Sequence, residues 1–290
     1  MKNLAAAAPL LLAALLSPSP MALDSEGAAL RPDPVMGEGY RLLYEQKFPE
    51  ARERFSAWSA SHPGDPFGDA SLAAAYLFEE FFHQGVMSSD YFLDDRKFLR
   101  GIDGSPDRER MNGFRKALGR AREAAGRLLK KNPRDPEALF VMTLAAGMES
   151  NALSILEKEN LNGLQRLKES NNYAERLLEV RPDVADAWLA LGSANYVIGC
   201  LSGTVRFFLW FGGYHGDREM GMAQLEKTAQ HGTYLQPYAK ILLALAARRE
   251  GREDLARRLL QELTRDYPAS PLFAAEYAKL EEHPVPRPTR

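Results

Sequence analysis

The chain has 290 residues, 45% hydrophobic and 26% charged, an ordinary globular composition that excludes both a disordered chain and a membrane-embedded one. Its formal net charge of −2 and pI near 6.3 leave no overall positive field to hold nucleic acid. The single cysteine, Cys200, excludes an internal disulfide and a cysteine-based zinc site, and its apolar neighbours mark it as a small buried hydrophobe.

The N-terminus, MKNLAAAAPLLLAALLSPSPMALD, has Lys2, an apolar run from Leu4 to Leu16, and then Ser/Pro-rich residues before Ala22. That order predicts a signal peptide over 1–22, followed by a periplasmic or secreted protein. The apolar run is too short for a permanent anchor. The segment ends without a cysteine, so no lipid-attachment site is expected.

After residue 30 a packing pattern recurs. Ala51, Phe55, Trp58 and Pro63 have offsets of four, three and five, and the same offsets return at Ala121, Ala125, Leu128 and Pro133. They return again at Ser170, Ala174, Leu177 and Pro182, and at Ala256, Leu260, Leu263 and Pro268. Small residues at this spacing let two antiparallel helices approach, and the proline stops the second helix. This resembles the second half of a tetratricopeptide repeat of about 34 residues. The first half is present as Trp188, Leu191 and Gly192 with Asn195 in the tyrosine slot, and as Leu72, Ala73 and Tyr76. The reading is an all-α, right-handed tetratricopeptide superhelix of about five helix pairs. Repeats are expected at 32–65, 66–134, 135–184, 185–236 and 237–270, in one domain over 23–290 with a capping helix at 271–282. Trp58 and Trp188 sit at repeat packing positions and read as core.

The middle repeats exceed the ~34-residue unit by roughly 35, 16 and 18 residues, and these excesses read as insertions. The third insertion contains TVRFFLWFGGYHGD, with Arg206, Phe207, Phe208, Trp210, Phe211 and Tyr214. Asp217 is expected to cap the following helix, so 203–216 is a loop or a short helix. Three readings stand for it: packing across the repeats to close the groove, contact with a partner or a membrane surface, or a lid over an apolar pocket built with Tyr196 and Tyr238. It is about half the length of a membrane span. First helices of such repeats line a concave groove, which places Tyr40, Tyr44, Phe67, Phe78, Ser193, Tyr196, Tyr238 and Ile241 on that side.

Catalytic signals are sparse. No pair among His62, His83, His215, His231 and His283 has the spacing of a helical zinc site, and H-E-x-x-H is absent. Gly212-Gly213-Tyr214-His215-Gly216-Asp217 lacks the Lys-Ser/Thr of a phosphate loop, and no G-x-S-x-G occurs. The expectation is a protein that is not an enzyme, with no cofactor and no metal.

Residues 187–280 resemble a group of exported bacterial tetratricopeptide proteins of unassigned activity. The resemblance is carried by WLALGSANY, by the apolar run with its Gly216-Asp217-Arg218-Glu219 restart, and by LLQELTRDYPASPLFAAEYAKL. The restart is also similar to that of tetratricopeptide proteins of the inclusion-body-clearance type. TRAP transporter T-components are a looser match. The resemblance implies an exported helical scaffold and no particular activity. Repeat arrays of this kind mostly bind proteins, so the expected partner is a protein of the cell envelope, and the charge balance argues against nucleic acid. The alternative is a binder of an apolar small molecule or lipid, accessory to a transporter. Met36 and Tyr40 stand where a carboxylate clamp has its first polar residues, so chaperone C-termini are poor partners.

Overall fold

The structure, a computed structural model, describes residues 29–94, 97 and 100–282; the predicted signal peptide at 1–22 lies outside them. Five antiparallel helix pairs follow one another: α1 (Pro34–Tyr44) with α2 (Phe48–Ser61), α3 (Pro66–His83) with α5 (Arg108–Lys131), α6 (Pro136–Asn151) with α7 (Asn160–Val180), α8 (Trp188–Cys200) with α10 (Arg218–His231), and α11 (Gln236–Arg249) with α12 (Glu253–Asp266). Short helices α4 (Ser89–Phe92) and α9 (Gly203–Phe211) interrupt the array, and α13 (Pro271–Glu282) caps it. The chain is all-α among the described residues, an array of helix pairs of the kind the repeat phase predicts.

Local sequence accounts for the starts and stops. Asp33-Pro34, Asp65-Pro66 and Asp135-Pro136 open the first helix of the first three pairs. In each, the aspartate side chain accepts a backbone N–H of the first turn and the proline takes a position whose N–H has no partner to lose. Pro63, Pro133, Pro182 and Pro268 each lie two residues beyond the end of a second helix. The packing offsets are buried as their spacing requires: Ala51, Phe55, Ala121, Ala125, Ala174, Leu177, Ala256 and Leu260 are fully enclosed, while Leu128 is half-buried. Helix α6 and the π-turn that extends it to Leu156 are long and apolar enough to span a membrane. They are instead a core element, with Leu139, Phe140, Val141 and Ala145 enclosed between neighbouring helices.

The insertions are used differently from loops. In the second repeat part of the extra length goes into α3 and α5, which have 18 and 24 residues. In the third it lengthens both helices, with the π-turn at Ala152–Leu156 at the junction.

The array also closes on itself. Tyr44 Oη donates to the Tyr234 carbonyl at 2.8 Å, Tyr234 Oη donates to the Arg31 carbonyl at 2.7 Å, and the Tyr40 and Tyr234 rings stack at 4.9 Å. Gln46 adopts the left-handed conformation (φ 57°), and its side-chain oxygen accepts from Ser270 Oγ and the Leu272 N–H, both at 3.2 Å. Thus the first helix pair meets the turn before α11 and the start of the cap. The first insertion reinforces the closure. Glu276, buried in α13, accepts the Ser89 N–H at 3.1 Å and pairs with Lys279 at 2.9 Å. Arg249 donates to the Phe92 carbonyl at 2.9 Å.

Candidate binding surface

The candidate residues separate into two groups. Tyr40, Tyr44, Phe78 and Tyr196 are buried and Tyr238 is half-buried. Tyr40 packs edge-on against Phe55 at 5.3 Å, and Phe78 lies 4.8 Å from Tyr238. Burial pushes the Tyr238 phenol up to about 12 and moves the phenols of Tyr40, Tyr44 and Tyr196 above their ordinary range. The space left among Leu43, Phe78, Ile241 and Phe273 is about 10 Å³, room for one water molecule at most. The inner wall is therefore filled by its own aromatic side chains.

The second group stands outside. Helix α9 begins where Ser202 Oγ accepts the Val205 N–H at 3.4 Å. It ends at Gly212 and Gly213, where the Tyr214 N–H returns to the Leu209 carbonyl at 3.0 Å; Gly213 takes the left-handed conformation (φ 77°) that a side chain would resist. The chain then passes Gly216 so close to α8 that a Cβ there would sit 2.6 Å from the Gly199 nitrogen. Asp217 accepts the Met220 N–H at 2.8 Å and restarts the array, as the sequence predicts. Between these two fixed points no residue of α9 is buried. Phe207, Phe208, Trp210 and Phe211 are 58%, 69%, 57% and 68% exposed, and Val205 is 45% exposed. Their rings touch one another, Phe207 with Phe211 at 5.1 Å and Trp210 with Phe211 at 5.2 Å.

The reading in which this run packs across the repeats to close a groove does not describe the molecule. The first insertion already occupies the place over Tyr196, with Phe92 stacked on that ring at 6.3 Å, and the glycine turn returns α9 to α10 without crossing the interior. Nor do the α9 rings form a lid with Tyr196 and Tyr238, which pack inside. Arg206 Nη1 donates to the Gly199 carbonyl at 3.5 Å. Lys168 Nζ donates to the Gly212 carbonyl at 3.4 Å and lies 5.4 Å from the centre of the half-buried Tyr214 ring. One cation thus lies within the aromatic helix and reaches back to α8, and a second stands at its C-terminal end.

Sequence reasoning passed over Asp186, Tyr234, Phe92 and Glu276, which hold the array closed. Asp186 is buried and accepts the N–H groups of Thr233, Tyr234 and Leu235 at 2.9, 3.2 and 3.1 Å. Gly232 beside it is a visible sign of this contact, since a Cβ there would meet Asp186 Oδ1 at 2.5 Å. The other buried acid, Glu80, binds Arg110 at 2.7 Å and the Asp107 N–H at 3.2 Å. Cys200 is half-buried, and burial pushes its thiol up. Among the described residues no group of three or more His, Cys, Asp and Glu side chains is placed to hold a metal ion. A polar hollow of about 310 Å³ lies by Gln84, Ser88, Asp90 and Asp103, and Asp90 there is paired with Lys279 at 2.7 Å.

Residues 163–199 match the family model for the tetratricopeptide repeat. That stretch covers most of α7 and α8, the second helix of one pair and the first of the next. No curated protein matches the chain significantly. Among solved structures it is similar to TTC0263, described as a thermophilic TPR protein of Thermus thermophilus, at 16% identity and a TM-score of 0.46 over 86% of this chain and 98% of that one.

Proposed function

We propose that this chain is a non-enzymatic interaction scaffold of the cell envelope, which holds partner proteins on the outer face of its helix pairs. Helix-pair repeats of this kind commonly mediate protein–protein contacts. The observation that carries the reading is the filled inner wall: with Tyr40, Tyr44, Phe67 and Phe78 enclosed, a protein partner is left the outer helices and α9. The buried acids are engaged in structural bonds, Asp186 with three backbone N–H groups and Glu80 and Glu276 with arginine and lysine, which fits a scaffold better than a catalyst. The envelope assignment rests on the order of charged, apolar and small residues over 1–22.

The test places a photo-crosslinking residue at exposed Arg127, Glu175 or Arg258 on the second helices α5, α7 and α12. The scaffold reading predicts discrete protein adducts in the envelope fraction. It also predicts that charged replacements of Leu10, Leu11 and Leu12 retain the precursor in the cytoplasm and abolish those adducts. Absence of any protein adduct from all three positions contradicts the scaffold, and unchanged fractionation contradicts export. The second reading, an apolar ligand or lipid, draws its support from α9 and not from the interior.

A further inference from the structure

From the placement of α9 we infer that this helix is a lipid-surface anchor, which inserts its aromatic side chains into the headgroup region of a bilayer and holds the scaffold against it. The first reason is geometric. At about 100° per residue Trp210, Phe207, Phe211 and Phe208 fan over about 160° of the helix, and Val205 and Leu209 extend the apolar surface further round. A helix that docks in a protein groove presents one stripe and keeps a polar back. The apolar surface here is much wider than such a stripe, with Arg206 in the remaining sector bonded back to Gly199, and on a helix with no buried residue that shape suits insertion into a fluid interface.

The second reason is length. Nine residues make a helix of about 14 Å, too short to cross the ~30 Å hydrocarbon core but long enough to lie in the interfacial zone. Aromatic residues, tryptophan above all, favour that zone because it offers an apolar phase beside a wet one.

The third reason is charge. Arg206 within the helix and Lys168 at its C-terminal end bond backbone carbonyls, at 3.5 and 3.4 Å, and neither makes an ion pair among the described residues. The neighbouring charges are otherwise engaged: Arg218 pairs with Glu250 at 3.2 Å, Glu219 is bonded by Arg252, and Asp217 caps α10. Two available cations beside the aromatic side chains complement the phosphates of an anionic bilayer.

The measurement is flotation of the purified chain, lacking residues 1–22, with vesicles of phosphatidylcholine alone and of an equal mixture with phosphatidylglycerol. The chain is expected to float with the anionic vesicles. Phe207→Ser, Phe208→Ser and Phe211→Ser together are expected to reduce binding roughly tenfold or more. Arg206→Glu with Lys168→Glu is expected to reduce binding to the anionic vesicles alone. Circular dichroism and the molar mass in solution, taken on the same samples, are expected to be unchanged. Failure of the unaltered chain to float with either vesicle overturns the inference, as does flotation of the triple variant equal to the parent. A parent dimer that the triple variant converts to a monomer also overturns it, and assigns the patch to a second copy of the chain. Protein adducts at Arg127, Glu175 and Arg258 report on the scaffold reading separately, so either idea can fail while the other stands.

Discussion

Asp186 links the fourth helix pair to the turn that closes the array. Burial pushes its carboxyl up to about 6, while the N–H groups of Tyr234, Leu235 and Thr233 pull the other way. An unfolded aspartate titrates near 3.9. Between about pH 4 and 6, then, the folded chain holds a proton that the unfolded chain has released. Stability from this group falls as pH rises through that window, by about 3 kcal/mol over roughly two units. Urea unfolding from pH 4 to 7 is expected to show this slope as a difference between the parent and Asp186→Asn, which cannot titrate. Other carboxyls, such as those of Glu45 and Asp183, are held low by cationic partners and slope the other way, so the difference is the informative quantity. A parent-minus-variant stability that does not change with pH would place the folded carboxyl at its ordinary value. Nothing near Asp186 in sequence announces this role, because its partners are backbone groups 47–49 positions away. By contrast Ala121, Ala125 and Ala174 were legible as packing residues, since they contact the helices next in sequence and recur at fixed offsets.

At the scale of elements, helix stops were legible because trailing prolines act locally, and the Asp-Pro pairs that open three first helices, which the repeat phase did not use, are local signals of the same kind. The insertions were not, because their positions depend on distant helices. Residues 89–92 lie in the second repeat yet dock on the cap through Glu276, which is buried with Lys279 at 2.9 Å and Arg248 at 3.6 Å. Removing that carboxylate leaves Arg248 without its carboxylate partner in a largely enclosed place, while Lys279 keeps Asp90 at 2.7 Å. Glu276→Ala is therefore expected to cost about 3 kcal/mol in equilibrium unfolding. It should also raise amide hydrogen exchange across 86–92, with the second helix pair itself still protected. A loss below ~0.5 kcal/mol would mean that the first insertion is held without Glu276, by the Asp90–Lys279 pair, the Arg249–Phe92 bond and its apolar contacts. Residues 203–216 were legible as a loop or short helix cut off by glycines, but neither the Ser202 cap nor the exposure of α9 was. Five apolar residues in a run read equally well as core or as surface until the Gly199–Gly216 contact returns the chain without crossing the interior.

For the whole molecule, the repeat phase predicts five helix pairs but not that the first pair meets the last. That closure decides where binding can occur. It commits the inner aromatics to folding and leaves the largest exposed rings on α9. The direct measurement is equilibrium unfolding of Phe207→Ala with Trp210→Ala beside Phe67→Ala, a fully buried ring of the inner wall that packs on Tyr40 and Phe140. The α9 double variant is predicted to stay within about 0.5 kcal/mol of the parent, and Phe67→Ala to lose about 3–5 kcal/mol. A double variant that loses several kcal/mol, beside a Phe67→Ala chain that loses little, would contradict the account: the rings of α9 would then be core, and the inner wall would be open.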